Sequence, residues 1–211
     1  MQHTTVKPDT GKKSALLRIG VAIFTEKGFY NTPIDEIVAA AGVPKGSFSY
    51  YFGNKDLYTL AVIECYTQYL NRKLDALLTN KALNPIDRIQ TFTDEASAGM
   101  ARFEFKRGCL VGNLGQELGA LHESFRIALL TALEGWQARI QVCLEEAKAA
   151  GHIAHDVDTT ALAKLFWYAW EGAVLCAKLE KSRAPLDSVS AAFIGHLKSL
   201  QITPTTFSSV K

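Results

Sequence analysis

Lys106-Arg107-Gly108-Cys109-Leu110 brings a thiol, two cations and a glycine together. A glycine ahead of a renewed apolar run marks a helix start. A helix N-terminus beside positive side chains stabilises the thiolate, the form of cysteine that reacts with electrophiles. The same residue buried is an inert small hydrophobe, so the string supports a sensor and a packing residue alike. Cys65, Cys143 and Cys176 stand among apolar neighbours, where packing is the expectation. The four cysteines contain no CxxC pair, which argues against a zinc site and a disulfide framework and fits a reducing cytoplasm. Gly151-His152-Ile153-Ala154-His155-Asp156-Val157-Asp158 offers imidazoles and carboxylates, with no third ligand cluster nearby in sequence. Histidine after one helix and aspartate before the next suit the helix dipoles without a metal, so neither metal nor cofactor is expected. No nucleophile–base signature or phosphate-cradling glycine loop occurs, and an enzyme is not expected.

A second constellation runs from Pro44 to Lys55. A helix opened by Pro44 uses Phe48 and Phe52 for packing and leaves Lys45, Ser47, Ser49, Tyr50 and Tyr51 on its other faces. A lysine, short hydroxyls and tyrosine hydroxyls reach phosphates and base edges in a DNA major groove, which is wide enough to admit a helix. Gly46 would let the backbone approach closely. Thr32 and Lys55 fall at helix starts, where backbone N–H groups and a side-chain donor can hold a phosphate.

Helical elements must carry these residues. Leu16, Leu17, Gly20, Val21 and Phe24 share one face of a helix that stops at Gly28. Thr32-Pro33-Ile34-Asp35 reads as a start, with Thr32 as cap, Pro33 at the first helical position and Asp35 and Glu36 facing the positive end of the dipole. Gly42 ends that short helix and Pro44 opens the next, which breaks at Gly53-Asn54, a helix-turn-helix pattern. Longer helices are predicted from Asp56 to Leu78, Asn84-Pro85 to about Phe103, Cys109 to Leu118, Ser124 to Ala150, Asp158 to Leu179 and Pro185 to about Leu200. Strand signals, repeats and low-complexity tracts are absent, so the fold class is all-α. The first ten or so residues and the tail from Thr203 are expected to fray.

Composition narrows the class further. The 211 residues are 48% hydrophobic and 21% charged, a globular balance, and no run approaches the roughly 20 apolar residues of a membrane span. Met1 to Lys13 lacks the apolar stretch of a secretory signal, and a cytoplasmic location is expected. The net charge of +2 is unevenly spread. Residues 1–55 carry seven Lys/Arg against four acids, and the remainder carries 16 bases against 17 acids. A basic head on a near-neutral body suits a polyanion partner, although solvated surface explains it as well.

Residues 28–57, GFYNTPIDEIVAAAGVPKGSFSYYFGNKDL, resemble the DNA-binding signature of the TetR family of transcriptional regulators. The match combines Gly-aromatic before a Thr, Ile-xx-Ile/Val-Ala-xx-Ala-Gly-Val, Lys-Gly-Ser-Phe and Tyr-Phe-xx-Lys-xx-Leu. It is sharp over roughly 14–60 and diffuse afterwards. Ser49 stands where many relatives carry a tyrosine. The resemblance implies a three-helix N-terminal domain (1–55) with a DNA-binding face of Thr32, Pro44, Lys45, Gly46, Ser47, Ser49, Tyr50, Tyr51 and Lys55. It further implies a larger helical effector-binding and dimerisation domain (56–202), with 203–211 as tail. The implied partners are a palindromic double-stranded operator, a small-molecule effector and a second copy of the chain.

The last two helices carry an apolar load beyond one core face: Leu162, Leu165, Phe166, Trp167, Ala169, Trp170, Ala173, Val174 and Ala177 on one, Val189, Ala192, Phe193, Leu197 and Leu200 on the other. Such a face is buried against a partner or within the chain's own core. The family resemblance implies the former, a four-helix dimer interface compatible with half-sites about 34–36 Å apart. It also implies an effector pocket, for which Tyr66, Phe92, Phe103, Cys109, Asn113, Trp136, Phe166 and Trp170 are candidates. At helical spacing the same aromatics also serve as core. The string around Cys109, with Trp170-Glu171-Gly172-Ala173 and Ala177-Lys178, resembles the family branch that answers quinones, aldehydes and N-ethylmaleimide. By that resemblance Cys109 is the sensing residue and Lys178 its cationic partner.

Overall fold

The computed structural model describes residues 10–200, so the predicted frayed ends lie outside the described residues. Among the described residues there are nine helices and no strand: α1 (Thr10–Lys27), α2 (Ile34–Ala41), α3 (Lys45–Phe52), α4 (Lys55–Leu78), α5 (Pro85–Arg102), α6 (Leu110–Leu118), α7 (Glu123–Ala149), α8 (Thr159–Glu180) and α9 (Ala184–Ser199). None is long and apolar enough to cross a membrane.

The ends follow from local chemistry. Gly28 closes α1 at φ +80° and Gly42 closes α2 at φ +65°, a left-handed conformation that a Cβ disfavours. Asn84 caps α5 by accepting from the Asp87 N–H, and Asp158 caps α8 by accepting from the Ala161 N–H. The start of α2 differs from the sequence expectation. Pro33 is the N-cap, in extended conformation, with its carbonyl accepting from Glu36 and Ile37. Thr32 therefore lies one residue outside the helix, and its hydroxyl donates to the Gly28 carbonyl at 2.6 Å instead of capping.

Packing groups the chain into two compact units. One compact unit runs to Leu70 and includes Arg107–Ala132; the other comprises Asn71–Lys106 and the chain from Leu133. In the first unit, Phe24, Phe48, Phe52 and Tyr58 are buried in mutual contact, with Phe24–Tyr58 and Phe52–Tyr58 edge to face. Each fully buried side chain of this size contributes roughly 1.5–3 kcal/mol relative to exposure. The Tyr58 hydroxyl donates to the Leu16 carbonyl at 2.8 Å. A Cβ at Gly20 would meet that hydroxyl at 2.2 Å, so the glycine lets α1 and α4 approach. Helix α6 joins this unit, its Asn113 amide donating to the Phe24 and Thr25 carbonyls, two of the last four of α1.

In the second unit α9 packs on α8 and α5. Phe92, Trp136, Phe166, Trp167, Trp170 and Phe193 form one buried aromatic cluster, with neighbouring ring centroids 5.0–6.3 Å apart. Arg88 is buried beside it in sequence and donates to the Leu78 and Leu83 carbonyls and to Glu146.

Candidate nucleic-acid interface

Helix α3 has two chemically distinct sides. Phe48 and Phe52 are 1% and 7% exposed, and each ring centroid lies 4.9 Å from that of Tyr58. Pro44, Lys45, Gly46, Ser49 and Tyr50 are exposed, while Ser47 and Tyr51 are half-buried. Tyr50 is 67% exposed, a large aromatic that the core does not use. The helix is anchored by one side and presents hydroxyls, a cation and a bare backbone on the other. A Cβ at Gly46 would meet nothing within 4 Å, so the protein's own packing does not require glycine there.

Two of the predicted DNA contacts, Thr32 and Lys55, lie away from the exposed side of α3. Thr32 is fully buried, with its hydroxyl on the Gly28 carbonyl and its N–H on the Phe29 carbonyl. It closes the α1–α2 turn and has no group to offer a phosphate. Lys55 is half-buried; its Nζ donates to the Phe29 carbonyl at 2.7 Å and lies 4.1 Å from the centre of the Phe29 ring. Burial lowers its pKa, opposed in part by the charges of Glu117 and Asp56. Its ammonium thus serves the fold. Helix position was legible in the sequence, but the direction of these side chains follows from the turn between α1 and α2.

The structure adds a residue that sequence reading assigned only to the helix dipole. Asp35 lies 2.6 Å from Lys45 Nζ. Ten positions separate the two, so only the angle between α2 and α3 brings them together.

The helix-turn-helix with its anchored and free faces coincides with a family match. Residues 16–57 match the family described as "Bacterial regulatory proteins, tetR family", and residues 85–193 match "Tetracyclin repressor-like, C-terminal domain". The transcriptional regulator AcuR of Cereibacter sphaeroides is 50% identical over 86% of this chain and 83% of its own. The chain belongs to the TetR family. The transcriptional repressor NemR of Escherichia coli is 28% identical over 90% of this chain and 93% of its own. A crystal structure of a regulatory protein TetR from Rhodobacter sphaeroides, 49% identical, superposes with a TM-score of 0.84 over 87% of this chain and 97% of that one. As a TetR-family member the protein is a DNA-binding transcriptional regulator and not an enzyme. TetR regulators are dimeric and bind operator DNA and small-molecule effectors.

The candidate effector residues of this TetR-family chain separate into groups. Phe92, Trp136, Phe166 and Trp170 belong to the buried aromatic cluster. Phe103 is 47% exposed at the end of α5, and Tyr66 is half-buried on α4, 6.4 Å from Tyr69 ring to ring. The Asn113 amide nitrogen donates to two carbonyls in the last turn of α1, those of Phe24 and Thr25. Cys109 is 8% exposed and forms the N-cap of α6. The neighbouring cations have carboxylate partners: Arg107 lies 3.6 Å from Glu26, and Lys106 lies 2.8 Å from Glu104. Lys178 is half-buried in the last turn of α8. Among the described residues no group of three or more His, Cys, Asp or Glu could hold a metal, and the His152–Asp158 stretch is a helix connection.

Proposed function

We propose that this TetR-family chain is a cytoplasmic homodimeric repressor that places α3 of each subunit in successive major grooves of a palindromic operator. The observation that carries the reading is the division of α3 into a buried Phe48/Phe52 side and an exposed Lys45/Gly46/Ser49/Tyr50 side. Tyr50 and Tyr51 supply hydroxyls, Lys45 a cation, and Pro44 and Ser47 the entry to the helix.

The dimer contact is assigned to α8 and α9. Leu165, Tyr168, Leu175 and Leu179 are 54–75% exposed along α8, an apolar stripe that water does not favour. On α9 the exposed positions Ser188, Ala191, Ala192 and Gly195 are small. A two-fold axis beside these helices sets the large side chains of one copy against the small ones of the other.

An effector that favours the wrong spacing of the two α3 helices by about 1–3 kcal/mol weakens operator binding by about 5–150-fold. The burial of Cys109 and the carboxylate partners of Lys106 and Arg107 favour a small apolar effector held without covalent chemistry. The N-cap position of Cys109 favours the second reading, an electrophile captured by its thiolate.

The experiment is a gel shift on the DNA upstream of the protein's own gene, at several salt concentrations, with and without a quinone. Specific, salt-steep binding that Lys45→Ala and Tyr50→Ala both weaken supports the reading. Unchanged binding in both variants removes α3 from it. Release by quinone that Cys109→Ser abolishes assigns the sensor, and release that survives the serine makes Cys109 a packing residue.

A further inference from the structure

The turn between α1 and α2 is held from two directions. The Glu117 carboxylate, from α6, accepts from the backbone N–H of Phe29 and of Tyr30, each at 2.6 Å, one oxygen per amide. Bonds from neutral donors to an ionised acceptor in this two-pronged form are among the stronger ones a protein makes. A Cβ at Gly28 would meet Glu117 Oε2 at 2.3 Å, so the glycine at φ +80° also leaves room for the carboxylate. Across the turn, the carbonyl of Phe29 accepts from Lys55 Nζ. The turn thus lies between a carboxylate and an ammonium of opposite charge.

The position of this turn in the chain gives the clamp its consequence. Thr32 closes the turn onto Gly28 and Phe29, and Pro33, next in sequence, caps α2. Lys55 is the first residue of α4, just after the Gly53-Asn54 break that ends α3. The turn therefore fixes the entry to the helix-turn-helix at Pro33 and its exit at Lys55. Asn113, one helical turn before Glu117, secures α6 to the Phe24 and Thr25 carbonyls, and the Gly108 N–H donates to the Thr25 carbonyl as well.

We propose that Glu117 is a positioning residue for operator binding, setting the orientation of α2 and α3 through the amides of Phe29 and Tyr30 without touching DNA. This rests on the DNA-binding reading above. The sign of the effect separates it from the electrostatic alternative. A carboxylate whose only influence on DNA were its charge would repel phosphates, so its removal would tighten binding. The clamp requires the opposite.

The test measures operator affinity of the full-length dimer carrying Glu117→Gln or Glu117→Asp, with thermal melting and amide hydrogen exchange. Glutamine keeps the shape and can accept through only one oxygen. Aspartate keeps the charge and draws the carboxylate back by one methylene. Both are expected to weaken operator binding on the order of 10-fold while leaving the dimer folded and the salt slope unchanged. Exchange at Phe29 and Tyr30 should be protected in the wild type and faster in the variants. Unchanged or tighter binding in a folded variant overturns the proposal, as does wild-type binding by the aspartate alone. Unprotected Phe29 and Tyr30 amides in the wild type overturn it too, whether or not the variants fold. Failure of the DNA-binding reading looks different: the wild type itself finds no specific operator, or Tyr50→Ala binds like wild type.

Discussion

Lys45 Nζ and Asp35 Oδ1 are 2.6 Å apart, joining the first residue of α3 to the first turn of α2. Both side chains are about 70% exposed, so the pair adds little to folding, typically less than about 1 kcal/mol. Its consequence is for DNA: the carboxylate competes with phosphate for the lysine and repels the duplex. Asp35→Ala should tighten binding to operator and to unrelated DNA alike, steepening the salt slope by about 0.9 as one further cation becomes available to phosphate. Fluorescence anisotropy across a salt series on both DNAs checks this, and weaker non-specific binding would contradict it.

Gly46 separates the needs of the fold from those of the interface. Since a Cβ there meets nothing within 4 Å, Gly46→Ala should leave the fold intact and stabilise it by up to about 1 kcal/mol through helix propensity. If DNA approaches this backbone closely, the same variant binds operator at least about 10-fold more weakly. A melting curve and a binding isotherm on the same preparation suffice. Equal affinity would mean that the helix stands further from the groove.

The cysteines should divide by environment. Cys143 donates to the Pro85 carbonyl at 3.3 Å, and burial pushes its thiol up to about 12. Maleimide at neutral pH should leave it unlabelled in the folded protein. Cys176 is exposed on α8 beside Leu175, so its labelling should slow as protein concentration rises and the proposed dimer forms. Mass spectrometry of labelled peptides reads both, and a Cys176 rate independent of concentration would argue against the α8 interface.

The same thiol gives a pH dependence with a definite sign. A raised folded pKa means that the unfolded chain releases the proton first, from its ordinary value of 9.0. The stabilisation by neutral Cys143 is complete below about pH 9 and is lost as pH rises towards about 12. Urea midpoints of wild type and Cys143→Ala should therefore converge over that window. A constant difference would remove the thiol as its cause.

Arg88 tests the second unit. Its side chain is 5% exposed and bonded to two backbone carbonyls and to Glu146. Arg88→Met orphans those carbonyls and should cost about 3 kcal/mol, the lower end for a buried pair because Glu146 is one-third exposed and keeps Lys81. Operator affinity per folded dimer should not change. Denaturant melts beside a binding titration distinguish lost stability from lost recognition.

Local rules made much of this protein readable in one dimension. Gly28 and Gly42 as stops, Asn84 and Asp158 as caps, and the Phe48/Phe52 spacing on α3 depend only on near neighbours, so the helices and the exposed side of α3 followed from residue type and period. The signature of residues 28–57 carried the family for the same reason: a short turn between short helices is specified locally. Tertiary structure decided where the polar side chains between elements point. Thr32 and Lys55 have the chemistry of phosphate ligands, yet the α1–α2 turn draws both inward. The Asn113 amide donates to the Phe24 and Thr25 carbonyls of α1, 89 and 88 positions away. Glu117 carries no local signal, because its partners, the amides of Phe29 and Tyr30, are 88 and 87 positions away. A hydrogen bond is satisfied by whichever partner packing brings within about 3 Å, and sequence spacing does not specify that partner across separate helices.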